Sequence, residues 1–213
     1  MSREPLNVLF VGNSYTSSSD LPGTIQALAE ARGLAMQQEM VARGGALLRD
    51  HLTGGFGTAA QRISSGRFTH VVLQEQSQLP IAAPPLFIEP ARALAGLASG
   101  HGARPVLFVT WARLDSPQDQ EALTRAYQTA ARESGAVLAL VGPAWAAARQ
   151  ELPDLALHAP DGSHPTPAGT YLAALVLYRT LTGDSPVGLP ARLGVSAEAA
   201  ARLQQIAGKI QNG

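Results

Sequence analysis

Short apolar runs alternate along this chain with longer segments whose apolar residues recur every three or four positions. The short runs are rich in β-branched and aromatic residues and end in polar or glycine-containing turns, so they predict buried strands. The five predicted strands are residues 6–11, 36–41, 70–73, 105–109 and 137–141. Because helical patterns separate the strands, we expect a parallel sheet that is covered by helices on both faces.

Capping residues mark where the predicted helices begin and end. A glycine after a helical pattern predicts its end, and Ser, Thr or Pro before the pattern predicts its start. The predicted helices are a segment that ends at Gly33, short helices within residues 44–66, residues 84–99, a helix capped by Ser116 and ended by Gly135, residues 143–150, a helix opened by Thr166-Pro167 and ended by Gly183, and a last helix capped by Ser196. The chain shows no internal repeat or linker, so we expect one domain spanning residues 1–213.

The charge balance argues against a polyanionic partner. The 213 residues include 16 Lys plus Arg and 16 Asp plus Glu, and Lys209 is the only lysine. Nucleic-acid-binding proteins usually carry a basic excess, so DNA, RNA and anionic membrane surfaces are not expected partners. A net charge near zero mildly favours self-association, which makes a homo-oligomer one expected state.

The chain contains no cysteine, which excludes disulfides, thiolate catalysis and cysteine metal sites. No apolar stretch approaches the ~20 residues that span a bilayer. No basic and apolar leader precedes the first predicted strand at Leu6. We therefore expect a cytoplasmic protein with no membrane span, the alternative being an exported protein whose leader has been removed.

Polar residues follow every predicted strand. In an open parallel sheet, binding and catalytic sites form beyond the carboxyl ends of the strands. The residues that follow strands one to five are Ser14, then Gly44 and Gly45, then Gln74, Gln76 and Gln78, then Trp111 and Arg113, and finally Asp161 and His164. The topology therefore predicts that these residues meet at one edge of the sheet.

Three of these residues suggest nucleophilic catalysis. Gly12 and Asn13 allow a sharp turn that would present Ser14 near a helix N-terminus, where exposed amides favour an anionic oxygen. Asp161 and His164 lie in a stiff turn between prolines. An imidazole beside a carboxylate suits proton transfer near neutral pH. Each motif also has a plain structural interpretation, the first as a strand-exit turn and the second as the approach to a helix.

Other polar residues at this edge could stabilise the oxyanion that forms during acyl transfer. Gly44 and Gly45 could present backbone N–H groups, and the glutamine segment, residues 74–78, offers side-chain amides. Turn formation is the alternative for the glycines, and solvation or helix capping is the alternative for the glutamines. Trp111 and Arg113 could line an acyl or carbohydrate pocket or serve only packing.

The other four histidines lack a metal-ligand spacing, and we predict no bound metal. They are His51, His70, His101 and His158. Their isolated positions are typical of surface or packing residues. Lining of the site stays an open alternative for His51 and His158.

Together these segments resemble the SGNH (GDSL-like) hydrolase superfamily, whose sequence blocks supply Ser, Gly, Asn and Asp-x-x-His in that order. The chain is most similar to a bacterial branch with Gly-Asn-Ser, Ala-Arg-Gly-Gly, Leu-Gln-Glu-Gln-Ser, Thr-Trp-Ala-Arg and Asp-Gly-Ser-His-Pro segments. These match residues 12–14, 42–45, 73–77, 110–113 and 161–165. The resemblance extends over nearly the whole chain, to about Gly188.

The resemblance implies a flavodoxin-like three-layer α/β/α sandwich and an esterase that needs no cofactor. It implies that Ser14 is the nucleophile and gives one oxyanion N–H, and that Gly45 gives a second. It implies His164 as the base and Asp161 as the partner that orients the imidazole.

The third sequence block departs from the superfamily, because the segment that normally supplies an Asn side chain has neither Asn nor Gly. Glutamine carries the same amide one methylene further out. We therefore assign the third oxyanion donor to Gln76, with Gln74 and Gln78 as alternates.

The expected function is hydrolysis of a small O-acyl ester, such as an O-acetyl group on a carbohydrate, through an acyl-enzyme. The expected partner is this small-molecule ester, with Tyr15, Trp111 and Arg113 in its pocket. Two alternatives stay open. The hydroxyl-rich loop after the first strand could bind a flavin phosphate, and the missing Asn is compatible with a non-catalytic descendant that binds a glycan or lipid.

Overall fold

The computed structural model describes residues 4–53 and 59–210, and a five-stranded sheet forms its centre. The strands are β1 (Leu6–Gly12), β2 (Met36–Ala42), β3 (His70–Leu73), β4 (Arg104–Phe108) and β5 (Val137–Ala139). Every neighbouring pair is parallel, and the strand order is β2-β1-β3-β4-β5. This flavodoxin-like order changes direction between β1 and β3, which opens a crevice at the carboxyl ends of these strands.

Helices cover the sheet in the part of the chain that the structure describes. They are α1 (Ser14–Ser17), α2 (Leu21–Glu30), α3 (Leu48–Leu52), α4 (Ala59–Ser64), α5 (Leu79–Ala82), α6 (Pro84–Gly100), α7 (Gln120–Ser134), α8 (Val141–Glu151), α9 (Pro167–Thr182) and α10 (Ala197–Lys209). The sequence pattern does not predict α1 and α5, because their 4 residues are too few to show a helical period.

The inner strands β1, β3 and β4 are largely buried on both faces, which explains their nearly continuous apolar runs. Val8 and Phe10 of β1 belong to a core that includes residues of α2, α8, α9 and α10. Leu9 and Val11 point the other way, into a core with residues of α3, α4, α6 and α7. The predicted three-layer α/β/α sandwich around five parallel strands is confirmed.

The fifth strand is shorter than predicted. It ends at Ala139, because Val141 already begins α8. The start of α8 packs directly against the chain that leaves β4, where the Gly142 N–H donates to the Val109 carbonyl at 2.9 Å. A side chain at Gly142 would overlap the Thr110 carbonyl, so the glycine permits this close approach.

Side-chain caps begin the last two helices, as predicted. Thr166 and Ser196 each accept a hydrogen bond from the backbone N–H three residues on, at 3.2 Å. The prediction of a Ser116 cap is wrong. The Ser116 hydroxyl donates to Asp115 instead, and a 3₁₀ turn over Pro117–Asp119 precedes α7.

The long helix α9 is buried on nearly all sides because α2, α8 and α10 pack against it. Its apolar composition is therefore explained by burial within the protein. No helix formed by residues 4–53 and 59–210 is long and apolar enough to cross a membrane.

Candidate active site

Ser14 is half-buried and is the first residue of α1, directly after β1. Asn13 caps this helix, because its Oδ1 accepts from the Tyr15 N–H at 3.1 Å. The Asn13 Nδ2 donates to the Ala46 carbonyl at 3.1 Å, which ties the turn to the chain after β2. The first amides of a helix have no acceptor within it, so the Ser14 N–H is not used inside α1.

His164 lies next to Ser14, although 150 positions separate the two residues along the chain. The Ser14 Oγ is 2.9 Å from His164 Nε2, and His164 Nδ1 is 2.5 Å from Asp161 Oδ2. A carboxylate at Nδ1 favours the tautomer that carries its proton there, which leaves Nε2 free to accept the hydroxyl proton. The three residues form a continuous path from hydroxyl to carboxylate.

Asp161 is held ionised by the turn that contains it. Its Oδ1 accepts from the backbone N–H groups of Ser163 and His164, both at 2.9 Å. These hydrogen bonds and the one from the His164 ring lower the pKa of Asp161 to about 2. Gly162 makes the turn possible because its φ of +69° is a left-handed conformation that favours glycine.

Contacts from several elements hold this His–Asp loop, residues 158–165, against α1. His158 and Pro165 form an isolated antiparallel bridge at its base. The Trp111 indole N–H donates to the Ser163 carbonyl at 2.9 Å, and the Tyr15 hydroxyl is 2.6 Å from the Ser163 hydroxyl. The loop is therefore fixed on both sides of His164.

A cavity of about 180 Å³ opens beside Ser14. Its lining residues are Asn13, Ser14, Tyr15, Gly45, Gln76, Ser77, Arg113, Ser163 and His164. Gly45 has a φ of +73°, and no atom lies within 4 Å of where its side chain would be. The predicted Ser14, Gly45, Gln76, Tyr15, Arg113 and His164 therefore meet at one cavity, next to Asp161.

Gln76 has its side-chain oxygen occupied and its amide nitrogen available. The Oε1 accepts from the backbone N–H groups of Gln78 and Leu79, at 2.8 and 3.0 Å. This fixes which end of the amide is which, because only the oxygen can accept. The Nε2 lies 3.4 Å from the Ser77 hydroxyl, a long contact that leaves donor capacity at the cavity.

The two alternates to Gln76 do not line this cavity. Gln74 is fully buried, and its Oε1 accepts from the Asn13 N–H at 3.0 Å and from the Thr16 hydroxyl at 2.8 Å. Its Nε2 donates to the Glu75 carbonyl. Gln74, an alternate for the third donor, therefore lies outside the cavity, and its amide holds the Ser14 turn. Gln78 contributes its backbone to the fixation of Gln76.

Glu75 is a buried carboxyl group in the glutamine segment, and the sequence analysis predicts no role for it. It accepts from the Gln76 N–H at 2.6 Å and from the Leu48 N–H at 3.2 and 3.3 Å. Loss of water on burial outweighs these bonds and raises its pKa to about 7. Its position two residues after the buried strand β3 could have indicated that this carboxyl group is buried.

The aromatic residues form a stack behind the cavity. The Tyr15 ring stacks on Trp111 with centroids 4.5 Å apart, and Trp111 stacks on Trp145 at 4.0 Å. Burial raises the pKa of the Tyr15 hydroxyl. Trp111 lines a separate cavity of about 270 Å³ and is not among the residues that line the cavity at Ser14. It supports Tyr15 from behind.

His51 and His158 also lie outside the Ser14 cavity. Burial lowers the pKa of both imidazoles, and the Nε2–H of each neutral ring donates to a backbone carbonyl. His51 donates to Gly12 at 2.8 Å, and His158 donates to Ala112 at 3.0 Å. Both are structural residues that support segments leading to the site.

No protein-family model matches the chain, and no curated protein matches it. Solved structures do. A protein from Slackia heliotrinireducens, described as an SGNH hydrolase, is 30% identical with a TM-score of 0.68, covering 83% of this chain and 99% of that one. A DUF4886 family protein from Bacteroides uniformis is 18% identical with a TM-score of 0.79, covering 96% and 94%. A lipase/acylhydrolase from Enterococcus faecalis is 14% identical with a TM-score of 0.67, covering 84% and 96%.

Proposed function

The chain belongs to the SGNH hydrolases, and from this we propose that it is a serine esterase that hydrolyses small O-acyl esters through an acyl-enzyme. The observation that carries the proposal is the path from Ser14 Oγ to His164 Nε2 at 2.9 Å and from His164 Nδ1 to Asp161 Oδ2 at 2.5 Å. A hydroxyl, an imidazole and an ionised carboxylate in this order are the parts that activate a serine nucleophile.

In the first half of the reaction, Ser14 Oγ forms a bond to the ester carbonyl carbon while its proton passes to His164 Nε2. Asp161 holds the Nδ1 proton and stabilises the imidazolium that results. The carbonyl oxygen becomes an oxyanion that accepts from the backbone N–H groups of Ser14 and Gly45 and from Gln76 Nε2. When the tetrahedral intermediate collapses, the bond to the leaving alkoxide breaks and the alkoxide takes the proton from Nε2.

In the second half, water attacks the acyl carbon of the Ser14 ester. His164 Nε2 accepts one proton of this water and then returns it to Ser14 Oγ as the acid leaves. The same N–H donors stabilise the second oxyanion. The serine is regenerated, and no cofactor is needed for the balance.

The size of the cavity supports a short acyl group. A volume of about 180 Å³ has room for acetyl or a similarly small group beside Ser14. The O-acetyl ester of a carbohydrate is one substrate that fits, since its alcohol part can extend into solvent from an open cavity. Turnover of p-nitrophenyl esters with acyl chains of two to twelve carbons tests the preference for a short acyl group. Release of acetate from acetylated sugars tests the carbohydrate substrate.

We expect Ser14→Ala to lower p-nitrophenyl acetate turnover by about 10⁴–10⁶-fold, because nucleophile and base act as one unit. A fluorophosphonate probe should label the native protein and not this variant. Ser17→Ala is the matched control, since Ser17 is exposed, lies in the same helix and makes no side-chain cap.

Unchanged turnover in Ser14→Ala would remove Ser14 from the mechanism. Absence of both turnover and labelling in the native protein would instead favour the non-catalytic alternative. A stoichiometric yellow chromophore in the purified protein would favour the flavin-binding alternative.

A further inference from the structure

Arg113 presents a charged guanidinium group to the Ser14 cavity. It is half-buried and follows β4 by five residues. Its Nε is buried and has no hydrogen-bond partner among the residues that the structure describes. A buried donor without a partner is unfavourable, so a ligand group that accepts a hydrogen bond is expected to satisfy it.

Several other arginines of the described chain are paired with a carboxylate of the protein. Arg62 and Arg67 both bind the Glu39 carboxylate, at 3.0 and 2.6 Å. Arg125 pairs with Glu121 one helical turn away. These pairs lie on the surface, where water would also serve. Arg113 instead faces a cavity, where a bound molecule could supply the partner.

The surroundings of Arg113 leave its charge available to a ligand. Among the described residues, it is the only arginine or lysine that lines the Ser14 cavity. It also lines an adjoining cavity of about 270 Å³ that reaches Asp115 and Asp161. The Asp161 oxygens are already engaged by the His164 ring and by two backbone N–H groups. The positive charge of Arg113 is therefore not cancelled by a hydrogen-bonded carboxylate of this chain.

We propose that Arg113 binds a carboxylate on the substrate, so that the preferred esters of this site are anionic. This rests on the proposed esterase function and specifies its substrate class. A guanidinium group is planar and offers two parallel N–H donors, which match the two oxygens of a carboxylate. The carboxylate can belong to the acyl part, as in a half-ester of a dicarboxylic acid, or to the alcohol part, as in an acylated hydroxy acid.

Two pairs of esters that differ in one charge test this proposal and separate its two sources. The acyl pair is mono-p-nitrophenyl succinate and p-nitrophenyl butyrate, and the alcohol pair is 4-acetoxybenzoate and phenyl acetate. In the native protein, kcat/KM should be higher for the charged member of one pair. Arg113→Gln should lower this charged-to-neutral ratio by about 10- to 100-fold, the range that hydrogen bonds to charged groups support.

Two further variants check the assignment. Arg113→Lys should keep part of the ratio, because it retains the charge and loses the paired donors. Arg125→Gln is the matched control, since Arg125 is exposed on α7, and it should leave the ratio unchanged. Equal losses on charged and neutral esters in Arg113→Gln, or no charged preference in the native protein, would overturn the proposal.

Binding provides a readout that does not depend on turnover. Calorimetry of the same four esters with the Ser14→Ala protein should show tighter binding of the charged member of one pair, and adding Arg113→Gln should abolish the difference. If Ser14→Ala still hydrolyses esters, the proposed mechanism fails while the Arg113 comparison remains decisive. If the double variant binds the charged ester as well as Ser14→Ala does, the Arg113 proposal alone fails.

Discussion

The His–Asp loop and the glutamine segment both border the Ser14 cavity, and each contains one carboxyl group. The two carboxyl groups differ in exposure and in pKa. Asp161 of the loop has a side chain that is 51% exposed, yet its pKa falls to about 2. Glu75 of the glutamine segment is fully buried, and its pKa rises to about 7. Exposure alone would give Asp161 an ordinary pKa, so the difference comes from the groups that surround each carboxyl.

Hydrogen bonds determine the state of Asp161, and loss of water determines that of Glu75. Three N–H donors from two residues point at Asp161, and all of them favour the charged form. Glu75 receives backbone donors from Gln76 and Leu48, but these do not replace the water it has lost. We infer that the loop supplies a fixed charge for chemistry, whereas Glu75 joins the two segments that carry Gln76 and Gly45.

The largest effect should come from the loop. Asp161→Asn should lower kcat for p-nitrophenyl acetate by about 10⁴-fold, because an amide at this position no longer selects the productive imidazole tautomer. Thermal stability near neutral pH should change little, since the side chain is half-exposed. Kinetics and thermal unfolding of the same preparation measure both.

Asp115→Asn is the control for loss of a nearby negative charge, because Asp115 lines the adjoining cavity and is exposed. It should leave kcat within a few-fold of the native value. A similar small effect for Asp161→Asn would show that the loop carboxylate does not orient His164.

A smaller effect should come from the glutamine segment. Gln76→Glu keeps an oxygen for the Gln78 and Leu79 N–H groups but places a negative charge where the oxyanion forms. We expect kcat to fall by at least about 10²–10³-fold, the loss typical of a missing oxyanion donor. In Gln76→Leu, kcat should fall by about the same factor. Circular dichroism checks that the variant keeps its fold.

Gln78→Leu is the matched control for this position. Gln78 is the neighbouring amide side chain, and it does not line the Ser14 cavity. It should retain nearly native kcat. If Gln78→Leu were the more damaging substitution, the third oxyanion donor would have to be reassigned to Gln78.

The difference between the two regions also explains what the sequence could predict. The inner strands β1, β3 and β4 are found from their apolar runs, since burial on both faces leaves a clear signal. The edge strand β2 contains polar positions that are exposed or half-buried and gives a weaker pattern. The His–Asp loop is a local turn between prolines, so spacing alone indicates that Asp161 and His164 can face one point. Each of the five segments that follow a strand also contributes a residue to the lining of the Ser14 cavity.

The glutamine segment could not be assigned in the same way. β3 ends at Leu73, so the alternation of side chains along a strand does not extend to residues 74–78. Which amide faces the cavity depends on partners that are distant in sequence, such as Asn13 and Thr16 for Gln74. The sequence also left Trp111 open between pocket lining and packing, because its stacking on Tyr15 and Trp145 is visible only in three dimensions.

The smallest expected effect is a change in stability, and it tests whether Glu75 is protonated in the folded protein. In the unfolded chain this carboxyl should ionise near its ordinary pKa of 4.5, whereas in the folded protein it does so near 7. Between these pH values, the folded protein retains a proton that the unfolded chain has lost, so the free energy of unfolding falls as pH rises. Above pH 7 the loss is complete, and this difference in pKa corresponds to about 3 kcal/mol at most.

Glu75→Gln should remove this pH dependence, because the amide keeps one acceptor and carries no charge. Denaturant unfolding of both proteins should give similar free energies near pH 4.5 and a variant that is more stable, by up to about 3 kcal/mol, near pH 8. The difference between the two proteins is the quantity to follow, since His51, His70 and His158 have lowered pKa values and titrate in the opposite sense. Glu89→Gln, at an exposed position of α6, should show no such trend. If the variant instead became less stable than the native protein as pH rises, the ionised carboxylate would be the form that the fold prefers.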